Sequence, residues 1–216
     1  MKKLFLATLL ISAISSNFAQ AKTEGSYAGV DILNTKITFY ERYTNNTQPT
    51  LLSRKPSFTH SDYGVGAHYN YAVNMNGLFI SPGLILELNN ATAQGTGTQQ
   101  LQRLQISNRY GAKLDLGVDI TNSISPYVTG GYVALSHKSR EYFNSYTNSR
   151  VRSGTSMDWF YGAGVKFDLD KYTSVNVEYN TQNFAVRNST DGTTNQLASR
   201  YQTRLDVLKF GIAYRF

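Results

Sequence analysis

The sequence has no cysteine, only three histidines and, past its first residues, no long apolar run. Without cysteine the chain has neither a disulfide framework nor thiolate chemistry, an unusual state for a small secreted soluble domain. His60, His68 and His137 belong to no cluster of His, Cys and carboxylate at ligand spacing, so no metal site and no cofactor is expected. His60 with Asp62 reads instead as a strand-edge pair. Charged residues make up only 16% of the chain, and the net charge of +7 falls to +5 without Lys2 and Lys3. These cations are scattered, whereas a nucleic-acid binder gathers them on one face or helix. Attraction to anionic lipid headgroups is the milder reading. No later stretch approaches the roughly 20 apolar residues of a spanning helix. If the mature chain crosses a membrane it must do so as a closed barrel, because lipid cannot satisfy a loose strand edge.

What is present begins with a secretory leader. Lys2 and Lys3 precede an apolar run at residues 4–14, and Ala19-Gln20-Ala21 supplies the small residues that a signal peptidase reads. Residues 1–21 are therefore expected to be a signal peptide cleaved after Ala21, and residues 22–216 a single domain. That domain is rich in aromatics, with 16 Tyr and 11 Phe in the whole chain. Such abundance suits aromatic girdles at two membrane interfaces.

The mature chain alternates with period two. Tyr63, Val65, Ala67, Tyr69 and Tyr71 alternate with Gly64, Gly66, His68 and Asn70. Tyr110, Ala112, Leu114, Leu116, Val118 and Ile120 alternate with Gly111, Lys113, Asp115, Gly117 and Asp119, and Trp159, Tyr161, Ala163, Val165, Phe167 and Leu169 with Phe160, Gly162, Gly164, Lys166 and Asp168. Residues 78–88, 175–180 and 208–216 follow the same rule. Near the N-terminus, Ala28, Val30 and Ile32 are expected outward and Gly29 and Asp31 inward; the faces of residues 125–135 are left open. The first three of these segments run for nine to eleven residues, the length with which a tilted strand crosses a bilayer. Their apolar faces carry no charge, as expected where a lipid-facing Lys or Arg costs about 2–4 kcal/mol. The inward glycines are expected to relieve crowding.

Short turns at residues 74–77, 121–124 and 170–173 alternate with longer polar segments at about 40–60, 89–102, 136–157 and 184–200. Barrels of this kind have short turns on one side and long loops on the other. The expected fold is an all-β, eight-stranded antiparallel up-and-down transmembrane barrel with four long loops at one end and both termini at the other.

The C-terminus carries a recognisable pattern. Lys209, Gly211, Tyr214 and Phe216 resemble the β-signal of outer-membrane barrels, and the resemblance implies that this strand is read by the barrel assembly machinery. Residues 110–119, 125–132 and 159–166 resemble strands of the small OmpA- and OmpX-like barrels. That resemblance implies a surface-exposed protein of the Gram-negative bacterial outer membrane and names no shared reaction.

The interior charges Lys113, Asp115, Lys166, Glu178 and Lys209 carry both signs. An eight-stranded barrel is only wide enough for side chains to fill it, so they are expected to pair into a polar plug; an open pore is the alternative. His137, Ser139 and nearby Glu141 faintly resemble the His-x-Ser of lipid A deacylase barrels, but Arg140 stands where that family has Asn. No catalytic residue is assigned. Tyr142, Phe143 and Tyr146, beside Arg140, Arg150 and Arg152, read as interface girdle and solvated loop or as a contact patch for a host or surface ligand. The expectation is a non-enzymatic, monomeric surface protein for envelope structure or adhesion. Its partners would be outer-membrane lipid and lipopolysaccharide, the assembly machinery and a possible loop ligand, with no nucleic acid.

Overall fold

The computed structural model describes residues 23–43, 56–96, 101–143, 148–187 and 199–216. The expected signal peptide, its cleavage after Ala21, and Tyr146 lie outside them. Eight strands follow in order: β1 (Gly25–Tyr43), β2 (Pro56–Met75), β3 (Leu78–Thr96), β4 (Leu101–Val118), β5 (Ile124–Phe143), β6 (Asn148–Asp168), β7 (Thr173–Arg187) and β8 (Ser199–Arg215). Each pairs antiparallel with its sequence neighbours, and β1 with β8, to close a barrel.

The turns at one end follow from their residues. Asn76 and Gly77 both have positive φ, 54° and 91°, between the paired Met75 and Leu78. That is the two-residue hairpin geometry that Asn-Gly favours. At the third turn the Asp170 carboxylate accepts the backbone N–H groups of Tyr172 and Thr173, each at 2.7 Å.

The expected facing holds through the lower barrel. Val30, Ile32, Val65, Leu84, Leu86, Leu116, Trp159, Tyr161, Phe210 and Ile212 are exposed on the outer surface, while Asp31, Glu87, Lys113, Asp115, Glu178 and Lys209 are buried inside. Residues 125–135 now have faces. Val128 and Tyr132 point out, whereas Ser125, Tyr127, Thr129, Val133 and Leu135 point in. Tyr132 and Trp159 contact each other at one rim, with centroids 5.1 Å apart. At the turn end, Tyr214 stacks on Tyr172 and meets Phe216 edge-on.

The long loops need correction. The strands span 15 to 21 residues, well beyond a bilayer crossing. Residues 136–157 are mostly the paired upper halves of β5 and β6, joined to Phe143–Asn148. Much of 89–102 likewise belongs to β3 and β4, whose ladder reaches Thr96–Leu101. Parts of 40–60 and 184–200 also extend β1, β2, β7 and β8. The physical reason is a reversal of polarity. Above the lipid-facing band the inward positions become apolar: Leu33, Ile37, Ala91, Ala93, Leu104, Ile106, Leu135, Phe184, Leu205 and Val207 form one buried cluster. Outward positions there, such as Lys36, Gln94, Arg103, Lys138 and Ser153, are polar. This is the pattern of a soluble β-layer packed on a core.

The ladder changes with it. Among the described residues, β2 and β3 pair no higher than Gly64–Asn89, and β6 and β7 no higher than Phe160–Gln182. The other ladders continue upward. The top of the barrel thus becomes two four-stranded sheets, β7-β8-β1-β2 and β3-β4-β5-β6, facing each other across the apolar cluster. We call this part the head. Its phase on β4 is set by a bulge at Ser107, because Ile106 pairs with His137 and Asn108 with Ser136. Below the bulge odd residues of β4 point inward, and above it Ile106 and Leu104 do.

Candidate functional site

The barrel interior is filled in three tiers. The lowest closes the turn end. Thr23, at the start of the described chain, donates its hydroxyl to Asp119 at 2.6 Å, and Ser125 donates to the same oxygen at 2.6 Å. The Lys166 ammonium donates to the Thr23 hydroxyl at 2.7 Å and sits 3.6 Å from Asp168. It also lies over the Tyr27 ring, 4.7 Å from the centroid.

The middle tier is a network of buried ions. Lys113 contacts Asp115 at 2.9 Å and Glu178 at 3.4 Å. Lys209 bridges Glu178 at 2.9 Å and Glu87 at 2.8 Å. Arg109 lies 2.7 Å from Glu87, donates to Asn180, and rests on the Phe160 ring. Tyr127 donates its hydroxyl to Glu178, and Asn70 its amide to Asp115. The cations Arg109, Lys113 and Lys209 thus meet the carboxylates Glu87, Asp115 and Glu178. A fourth pair, His68 Nδ1 with Asp31 at 2.8 Å, lies alongside. Charges removed from water need this density of partners, since each unpaired ion costs several kcal/mol.

Interior glycines make room for the network. A side chain at Gly211 would run into the Asp31 and Asn176 side chains, and one at Gly131 into the Phe160 ring. Among the described residues, a cavity of about 50 Å³ lies between the lower and middle tiers, lined by Tyr27, His68, Asn70, Phe79, Lys113 and Lys166 among others. It holds at most a few waters. The third tier is the apolar cluster of the head.

Of the five interior charges singled out in the sequence, four come together: Lys113, Asp115, Glu178 and Lys209. Lys166 stands apart in the lower tier. Arg109 was missed, although it is fully buried at the heart of the network. Continuing the alternation one residue before Tyr110 would have placed it inward. Within the C-terminal pattern, Lys209 and Gly211 face the interior while Tyr214 and Phe216 lie on the outer surface.

His137 and Ser139 lie on strand β5 and face inward in the head, where His137 packs by Phe184. Among the described residues no hydrogen bond joins these two side chains, and burial pushes His137 below the ordinary imidazole range. Arg140, Tyr142 and Phe143 belong to β5, and Arg150 and Arg152 to β6, rather than to a loop. His60 is exposed on β2, and Asp62 accepts the N–H of Tyr63. No group of three or more potential metal ligands occurs among the described residues.

Comparison with known proteins agrees with this architecture. The profile of a family described as "Outer membrane protein beta-barrel domain" matches residues 5–216. Among solved structures, the outer membrane protein OprG from Pseudomonas aeruginosa aligns over 91% of this chain and 98% of its own, at 12% identity and a TM-score of 0.53. The outer membrane protein AlkL in lipid bilayers aligns over 92% and 93%, at 16% identity and 0.51. Ail, the attachment invasion locus protein of Yersinia pestis, aligns over 89% and 99%, at 17% identity and 0.44. None of the curated proteins matches the sequence.

Proposed function

The chain belongs to the outer membrane protein β-barrel domain family, and from that premise we propose that it is a non-enzymatic surface protein whose barrel serves as an anchor and whose head makes the working contacts. The protein resides in the bacterial outer membrane. Short turns of such barrels face the periplasm and the long connections face outward, which puts the head outside the cell.

The observation that carries this reading is the filled interior. A conduit would have to pass the Thr23–Lys166 tier, the ion network and the apolar cluster in turn. A cavity of about 50 Å³ is far below the roughly 300 Å³ at which small-molecule pockets begin. Neither transport through the barrel nor turnover inside it is favoured, and the projecting head remains.

The test is attachment. Cells displaying the full chain should adhere to a target cell layer more than cells displaying a variant whose β5–β6 hairpin is cut back to the Ser136–Thr155 pair and closed by Asn-Gly. Heat-modifiable gel mobility of both proteins verifies that the barrel is intact. Equal adhesion by the two, or none by either, would count against the reading.

A further inference from the structure

The connection between β2 and β3 consists of Asn76 and Gly77 alone, and theirs is the one Asn-Gly pair in the sequence. Both residues have positive φ, as a type I′ hairpin demands. Asn76 is exposed to water. An asparagine followed by glycine can hydrolyse its own side chain through the backbone, because glycine carries no side chain to hinder the approach. The Gly77 nitrogen attacks Asn76 Cγ. The side-chain nitrogen leaves as ammonia, taking up the proton that the Gly77 nitrogen gives away, and a five-membered succinimide ring remains. Water then opens that ring at either carbonyl. One opening yields aspartate. The other yields isoaspartate, in which the main chain runs through Cβ and Cγ and is one carbon longer.

In the folded barrel the attacking nitrogen is held. The Gly77 N–H donates to the Asn74 side-chain oxygen at 2.9 Å. The Asn74 amide donates in turn to the Asp119 carboxylate at 2.8 Å. The Asp119 N–H donates to the Gly77 carbonyl at 2.7 Å, so the same residue pins the turn from its other side. Asp119 also takes the hydroxyls of Thr23 and Ser125 in the lower tier. To react, the Gly77 nitrogen must leave Asn74 and swing toward Cγ, which opens the turn and loosens the tier behind it. In an unfolded chain none of these bonds exists.

The two ring-opening products differ in consequence. Met75 pairs with Leu78, Asn74 with Phe79 and Val73 with Ile80. That register depends on a loop of two residues. Aspartate at position 76 preserves the loop length, whereas the extra backbone carbon of isoaspartate does not fit between Met75 and Leu78.

We infer that Asn76 is a deamidation site, silent in the closed barrel and open in the unfolded chain, so that a chain held too long before assembly loses its β2–β3 hairpin. The inference concerns the turn end and is independent of what the head contacts.

The experiment incubates the full chain at mildly alkaline pH in two forms, unfolded in guanidinium chloride and folded in zwitterionic micelles. Peptide mass spectrometry with chromatographic separation of the isomers reads aspartate and isoaspartate at position 76. Heat-modifiable gel mobility reads the fraction of the unfolded sample that still refolds on transfer to micelles. Conversion at position 76 should be at least about tenfold slower in the folded form, because it must wait for local opening. The refoldable fraction should fall as isoaspartate accumulates. Asn76→Gly keeps a turn of type I′ composition and has no side-chain amide, so it should retain its refolding over the same period. Folded Asn74→Ala should convert roughly fivefold faster than the folded parent, for the loss of one hydrogen bond. Equal conversion in the folded and unfolded parent would overturn the site, and that comparison needs no variant. Loss of refolding by Asn76→Gly at the parent's rate would overturn the consequence for the hairpin. Folded Asn74→Ala converting no faster than the parent would overturn the part given to Asn74.

Discussion

Single residues show where the interior is most sensitive. Among the described residues, Glu87 is the one carboxylate in contact with both Arg109 and Lys209. Glu87→Ala would leave two buried cations short of a counter-charge and should cost about 3–5 kcal/mol, read as a lowered urea midpoint for the micelle-bound barrel. Arg109→Ala should cost a similar amount, and a variant within about 0.5 kcal/mol of the parent would show that the network is better hydrated than its geometry implies. His137 sets a pH dependence in the head. Burial lowers its folded-state pKa, so the unfolded chain takes up the proton first. The head is then at full stability above about pH 6.5 and loses it as the pH falls. Limited proteolysis of the head should accelerate on acidification, and His137→Phe should flatten that dependence; an unchanged acid sensitivity in the variant would assign it to other groups.

At the level of elements, the bulge at Ser107 sets the phase of β4 in the head. Deleting Ser107 would remove the extra residue, so that outward Asn108 is followed directly by inward Ile106; Leu104 and Ile106 keep their inward face and Arg103 its outward one. Each buried aliphatic side chain lost from the head would remove about 1.5–3 kcal/mol, and none is lost here. The deletion should therefore leave residues 101–106 as resistant to protease as in the parent, with gel mobility unchanged, and a head opened to protease would contradict the assigned phase. The same element explains what was legible in the sequence. Lipid-facing alternation in residues 110–118 and 159–167 is strict, and it correctly locates the barrel wall. Above the rim the outward residues are polar and the inward ones apolar, and the phase of β4 jumps at Ser107. A period read against a lipid-facing template therefore ends near Tyr110 and Trp159, leaving Ala91 and Ala93 within the polar segment at 89–102 and Leu104 and Ile106 outside any expected strand. Arg109 was hidden by that same boundary. Lys113, Asp115, Glu178 and Lys209 were legible because each lies well inside a clean strand, whereas their separation from Lys166 depends on how far each sits along the barrel axis, which alternation does not encode.

The whole molecule is a barrel whose polarity reverses along its length. Its lower part is apolar outside and ionic inside, and its upper part polar outside and apolar inside. The reversal accounts for strands of up to 21 residues in a membrane that needs about half that number. On the function proposed above it would also divide the labour, the lower part held by lipid and the upper part making the contacts. The claim on which this account depends is that the interior is shut along its whole length. Single-channel recording tests it most directly. The purified full chain, inserted in planar bilayers in its heat-modifiable form, should add no stable conductance steps at any applied voltage. Reproducible ohmic steps from that folded form would contradict the account and restore the open pore.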